Sequence, residues 1–311
     1  MAKLMRAGVA LCSALLVFGA ALAAGAPAPE ATSLLGEPLY APALAAEQRA
    51  EYESKLAAAR ARYGQAPDQL ESIVWLGRRT AYLGRFREAI AIYSRGLELH
   101  PESAELLRHR GHRAITVREL ELALADLKQA ARLIEGRPDV VEPDGLPNRL
   151  NIPTSTLHGN IWYHLGLAQF LKRDFAAAAA SYRKGLATAR SEDMRIAFTI
   201  WLVWSLKRLG RDQEVETLLA GIDPELKLIE NGDYLELLLL CKSLRTADEL
   251  LEAGSSDPVS NATLGFGVGQ WHLTEGRAEQ AEAIFRRVVA AGHWPAFGHL
   301  AAEAELAGLG K

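Results

Sequence analysis

The residues that could do chemistry in this chain are few and scattered. His109 and His112 stand three apart, which puts them on one face of a helix. His293 and His299 flank a Trp-Pro turn, and His158 and His164 surround a helix start. Paired imidazoles can hold a metal, but neither a cysteine nor a carboxylate completes a ligand set at fixed spacing. Packing or surface histidines are the better reading, and no metal is expected. Cys241, in LELLLLCKSL, has only Lys242 beside it, whereas a reactive thiol needs electropositive surroundings. It reads as a small buried hydrophobe. Gly265-Phe266-Gly267-Val268-Gly269 alternates like a phosphate loop but follows no strand. Asp139, Glu142, Asp144 and His158 lie close in sequence, without the spacing of an acid–base motif. There is no Walker loop, HExxH or GxSxG. The chain is expected not to be an enzyme and to need no cofactor.

What positions these residues is a repeat. In residues 70–103, small or apolar residues fall at Leu76, Gly77 and Thr80, then at Ala89, Tyr93 and Gly96. Both runs have the i, i+3, i+4, i+7 spacing of one buried helical face. Gly84 supplies the turn between them and Pro101 ends the second. A period of 34 residues carries Gly77 onto Gly111, Ala89 onto Ala123 and Gly96 onto Ala130. On these residues the chain resembles the tetratricopeptide repeat family. The resemblance implies an all-α, right-handed superhelical solenoid of stacked helix pairs, because one pair cannot bury its own apolar face.

The chain divides on this basis. Lys3 and Arg6, the apolar run from Ala7 to Ala21 and Ala21-Leu22-Ala23 read as a signal peptide over residues 1–23. An uncleaved anchor and a lipid-bearing Cys12 are the lesser alternatives, since the run is short for a span and Leu11 precedes Cys12. Residues 24–45, rich in proline, alanine and glycine, read as a linker, and residues 46–66 as an N-terminal capping helix. The array is expected over residues 67–311, with units near 70–103, 104–137, 159–192, 196–226 and 262–295. A proline-rich insert spans 136–157, and 296–309 forms a closing helix whose His299, Glu303 and Glu305 make it polar enough to cap the end. Apolar Val140, Val141, Leu146, Leu150 and Ile152 predict that the insert lies ordered against the array. In unit two Arg110 stands where Leu76 stands in unit one, an inward position.

In the family the first helix of each unit lines a concave face, and its ligand-facing positions are the second, fifth, ninth, twelfth and thirteenth. Carried over, these give Arg78, Tyr82, Arg108, His112, Asn160, Tyr163 and Phe170 as candidate binding residues. Arg78, Arg108 and His112 could then converge on one anionic group, with Tyr82, Tyr163 and Phe170 as an apolar wall. The alternative is a latch, in which Asp139, Glu142 and Asp144 of the insert fold back onto those arginines. The lysine and asparagine of the family's carboxylate clamp are not matched by Val74 and Arg78. Trp162, Trp201, Trp204 and Trp271 sit at repeat spacing and read as core.

Two C-terminal stretches, WLVWSLKRLGRDQEVETLL and WHLTEGRAEQAEAIFRRVVAAGHWPAFGHLAAEAELAGLG, are similar to NlpI-like envelope lipoproteins, which act as adaptors. The lipid-bearing cysteine of that family is absent. The expectation is an exported scaffold in the periplasm or envelope of a bacterium, or secreted, holding a protein or peptide segment in its concave groove. A small anionic ligand or cell-wall fragment under the insert is the alternative. The formal net charge of −3 gives no global basic footprint for nucleic acid, and losing Lys3 and Arg6 makes it more negative. No stable membrane span is expected after cleavage.

Overall fold

The computed structural model describes residues 28–254 and 257–309; the signal peptide read at residues 1–23 lies outside them. A two-stranded antiparallel hairpin, β1 (Ala31–Thr32) and β2 (Pro38–Leu39), precedes the helices. Then come α1 (Ala46–Gln65) and six helix pairs: α2 (Leu70–Tyr82) with α3 (Phe86–Leu99), α4 (Ala104–Thr116) with α5 (Leu120–Leu133), α6 (Leu157–Leu171) with α7 (Phe175–Thr188), α8 (Glu192–Arg208) with α9 (Asp212–Ala220), α10 (Gly232–Cys241) with α11 (Ala247–Ala253), and α12 (Pro258–Thr274) with α13 (Ala278–Ala290). α14 (Phe297–Leu309) closes the described chain. Each first helix packs on its own partner and on the next first helix, which makes the protein a superhelical solenoid.

Four of the six pairs close by one rule. A glycine on the first helix receives a large side chain sixteen residues later on the second: Gly77 takes Tyr93, Gly111 takes Leu127, Gly166 takes Tyr182 and Gly269 takes Phe285. A Cβ at any of these positions would lie 2.2 to 2.7 Å from that side chain. Gly111→Leu should therefore force α4 from α5 and destabilise the protein by about 1–3 kcal/mol or more. A thermal scan should show a clear drop in Tm; an unchanged Tm would mean that the pair does not close here. Glycines of the Gly-x-Gly run likewise serve packing inside α12, Gly267 against Leu237 and Gly265 against Val288.

Unit two keeps its geometry by an exchange. Arg110 donates from Nε and Nη2 to both carboxylate oxygens of Asp126, each at 2.7 Å, and from Nη1 to Ser94. Asp126 lies one 34-residue period after Ile92, as Arg110 lies one period after Leu76, so an ion pair stands where unit one has two apolar residues. Two later boundaries differ from the 34-residue reading. α8 starts at Glu192 because Ser191 caps it, and α12 starts at Pro258 because Asp257 caps it and proline suits the first turn.

The turns inside the pairs need a left-handed residue. Gly84, Gly210 and Gly276 provide it, with φ of 77°, 68° and 77°. Arg118 and Arg173 hold the same position in units two and three at φ 67° and 63°, which costs a side-chain-bearing residue about 1–2 kcal/mol. Both reach α14. Arg118 makes a bidentate pair with Glu303, at 2.6 and 3.1 Å, and donates to the carbonyl of Trp294 at 3.0 Å. Arg173 meets Glu305 at 2.9 Å, and Arg208 holds the other oxygen of that carboxylate.

α14 therefore does not end the array as a solvent-facing cap. His299, Glu303 and Glu305 are buried, and the helix packs on α12, α13 and α6. Their polarity is met by arginines from distant units rather than by water. The segment read as a linker also differs from residue 28 onward. The hairpin lies across the join: Leu34 N–H donates to Glu303, Trp294 Nε1 donates to the carbonyl of Tyr40, and Arg87 N–H donates to Glu30. Its small and proline residues suit close approach, as Pro42 against Gly84. The solenoid is thus shut on itself by its two ends.

Arg173→Gly should be nearly neutral, within about 1 kcal/mol, because strain is relieved and Glu305 keeps Arg208. Denaturant midpoints of the two proteins test this; a large loss would make Arg173 indispensable to the closure.

Candidate partner-binding groove

The insert is an ordered arch between α5 and α6. Val141 bridges Thr156, with Glu142 N–H donating to Ser155 O and Leu157 N–H to Val140 O. Asn148 binds the backbone of Leu150 and Ile152. The arch is fastened to the first unit through Arg78 to Pro143 O and Arg79 to Gly145 O, each 2.8 Å. At its far end Thr154 donates to Glu230 and accepts from Ser191. Asp139 receives the His158 N–H at the start of α6.

Arg78 and Arg108 do converge on one carboxylate, and it is Glu142 of the insert. Arg108 Nη2 lies 3.1 Å from Glu142 Oε1, His109 Nε2 3.4 Å and Arg78 Nη1 4.0 Å. Asn160 donates to the other oxygen at 2.9 Å. Among the insert's acids Glu142 makes the ion pairs with these arginines, Asp144 feels the Arg78 charge, and Asp139 faces α6 and Arg190. Burial pulls the Arg108 guanidinium down, and Glu142 opposes that. The cluster leaves no open pair of arginines for an incoming anion.

His112 is not part of it. Its ring lies 4.2 Å from that of His164 and 5.3 Å from Phe297, the first residue of α14, and it accepts from Arg113. Tyr163 is in hydrogen-bond contact with Tyr234 at 2.8 Å and packs near Phe297. Tyr82 lies tilted against Tyr52, ring centroids 6.1 Å apart, and lies under Arg79. Phe170 lies in the core against Trp201, Phe175 and Phe266, so Tyr82, Tyr163 and Phe170 form no common wall. The reason is that α14 occupies the interior that a free solenoid would leave to a ligand. Trp201 and Trp204 are fully buried core, and Trp162 nearly so; Trp271 is half-buried under Arg277.

One open groove, of about 280 Å³, lies between α2, α4 and the arch. Leu70, Val74, Trp75, Val140, Val141 and Leu157 give it apolar lining, and Glu71, Glu105 and the Arg78, His109 and Glu142 cluster border it. Arg78 and Arg79 cover the Trp75 ring at 4.5 and 4.8 Å. Val140, Val141, Leu146, Leu150 and Ile152 are each about half exposed along the arch. Sequence reasoning took these five as the sign of an insert lying ordered against the array. Among the described residues no three His, Cys, Asp or Glu side chains come together to hold a metal. Burial pushes the Cys241 thiol up to about 12, so it is not poised as a nucleophile. No helix among the described residues is long and apolar enough to cross a membrane.

Fold and groove together define a helix-pair repeat scaffold with an apolar cleft beside a self-filled concave face. The tetratricopeptide repeat profile matches residues 159–191, the α6–α7 pair, so that pair is similar to a tetratricopeptide repeat. No curated protein sequence matches the chain, and the comparisons do not show the similarity to NlpI-like lipoproteins. Among solved structures it is similar to YrrB, a TPR protein with an unusual peptide-binding site, at 14% identity, with 81% of this chain and 99% of that one covered and a TM-score of 0.43. A tetratricopeptide repeat protein from Parabacteroides merdae ATCC 43184 aligns at 18% identity, covering 83% and 93%, with a TM-score of 0.47. A chain of the Naa15/Naa10 assembly bound to HypK-THB aligns at 15% identity, covering 78% of this chain and 34% of that one, with a TM-score of 0.38.

Proposed function

We propose that this protein is an exported, non-enzymatic scaffold of a bacterial envelope that holds a protein or peptide segment on the groove between α2, α4 and the arch. One observation carries the reading. The chain's own α14 fills the solenoid interior, while five large apolar side chains lie exposed beside an open apolar cleft. Val140 and Val141 line the cleft, and exposed apolar surface gathered in a cleft marks interaction sites. Trp75 is the anchor, since aromatic residues in such clefts carry much of a binding energy. A small anionic ligand is the weaker reading, because Arg78 and Arg108 already face Glu142.

The test is affinity capture from envelope extract with the wild type and with Val140→Asp/Val141→Asp. Both valines are exposed, so the variant should keep its Tm while losing the captured protein. Capture unchanged in the variant would remove the groove from the proposal. Arg78→Glu/Arg108→Glu serves as a contrast and should melt earlier, because Glu142 would then face two more carboxylates.

A further inference from the structure

A second cavity lies further along the array, at the α6 end of the arch. It holds about 250 Å³ between the starts of α6, α8 and α10, the arch residues Thr154 and Ser155, and Phe297. It exists because the solenoid closes: without α14 the Phe297 wall would be missing. Its lining is unlike that of the partner groove. The polar groups are Ser155, Asn160, Tyr163, Asn231 and Tyr234, all uncharged, and no lysine or arginine lines it.

These groups are held in place by the protein. The hydroxyls of Tyr163 and Tyr234 are 2.8 Å apart, and Trp201 Nε1 donates to Tyr234 at 3.4 Å. Burial pushes both phenols upward, so they remain hydroxyls that can donate and accept. Asn160 spends its amide hydrogens on Glu142 and Ser155, and Asn231 donates to the carbonyl of Asp193. Among the described residues neither asparagine oxygen has a donor, so each is an acceptor in waiting. The rings of Tyr163, Phe198, Tyr234 and Phe297 supply flat apolar walls.

The neighbourhood is acidic. Glu230 accepts from Thr154, Asp193 accepts the backbone amides of residues 229–231, and Asp233 accepts from Ser260. These acids stand behind the lining, and an anionic ligand would find no cation on the lining to pair with. A neutral ring with hydroxyls at its edge and C–H groups on its faces fits both halves of the lining. The volume lies just below the range for drug-sized ligands and suits one such ring. We propose that this cavity binds a single uncharged pyranose. The proposal stands apart from the scaffold reading, since it uses other residues.

The experiment titrates the full chain with D-glucose and with N-acetyl-D-glucosamine, read by saturation-transfer NMR, with D-glucuronate as the anionic control. At least one neutral sugar should bind saturably with a Kd on the order of a millimolar. The preferred sugar distinguishes a free hexose from a wall-type amino sugar. Tyr163→Phe should weaken binding about fivefold by removing one hydrogen-bonding hydroxyl. Ala197→Phe, which fills the cavity from α8, should abolish it at unchanged Tm. If Ala197→Phe does not fold, Tyr163→Phe decides alone. Absence of saturation by either sugar, equal binding of glucuronate, or binding undiminished in the variants would overturn the proposal. None of these results depends on capture of a protein at the Trp75 groove.

Discussion

Glu303→Ala is expected to destabilise the protein by about 3–5 kcal/mol and to free the N-terminal hairpin. Glu303 is fully buried and joins three distant parts of the chain. It accepts two bonds from Arg118 in the α4–α5 turn, one from Leu34 N–H in the hairpin, and lies 3.0 Å from His299 Nε2 in its own helix. Burial raises its carboxyl, but the hydrogen bonds from His299 and Arg118 and the Arg118 charge more than offset that and hold it below the usual range. Burial pulls the Arg118 guanidinium down, opposed by Glu303. A guanidinium stays charged at any working pH, so the direction at Glu303 is the one that governs the pair. Removing the carboxylate strands a buried cation, which is the costly way to break an ion pair. Denaturant unfolding measures the loss, and hydrogen exchange at the Leu34 amide reports the hairpin. Glu303→Gln, which keeps the acceptor without the charge, should fall between. Wild-type protection at Leu34 in the alanine variant would show that the hairpin is held without Glu303, by Trp294 and Arg87.

The helix pairs were legible because each is local. Gly77 and Tyr93, or Gly166 and Tyr182, meet within one unit, and a period of 34 exposes them. Arg110 looked misplaced only because its compensating Asp126 was not sought one period after Ile92. The closure was not legible, because its partners lie far apart in sequence. His299, Glu303 and Glu305 on α14 resemble a solvated face until Arg118, Arg173 and Arg208 are brought to them, and two of those arginines stand where other turns have glycine. Residues 28–45 have the composition of a linker, and their order comes from Trp294 and Glu303 across some 250 residues. The groove positions carried over from the repeat family brought Arg78 and Arg108 to one carboxylate. That carboxylate belongs to the insert, one of the two arrangements the sequence left open. His112 and Tyr163 went elsewhere because Phe297, outside any repeat register, sits between the units.

Acidification should open this interior. His109, His112 and His164 are all held well below the ordinary imidazole value, by burial first and then by the Arg108 and Arg113 charges. His112 accepts from Arg113, and His164 contacts the Asn160 carbonyl through Nδ1, so a single proton on His164 is already used. Only His109 has a carboxylate beside it, Glu142 at 3.4 Å. Protonating His112 would remove the acceptor for Arg113 and set two cations together against Phe297. Because each folded-state pKa lies below the unfolded value near 6.5, the folded protein binds fewer protons than the unfolded chain. The stability is therefore complete above about pH 6.5 and declines as pH falls below it, by about 1.4 kcal/mol per pH unit for each histidine that stays neutral. Three histidines acting together would make pH 5.5 markedly destabilising relative to pH 7.5. Urea midpoints across that range test the sign, and the slope should flatten in His112→Gln/His164→Gln. Equal midpoints at pH 7.5 and 5.5 in the wild type would mean that these rings are protonated without cost, and that α14 does not seal them from water.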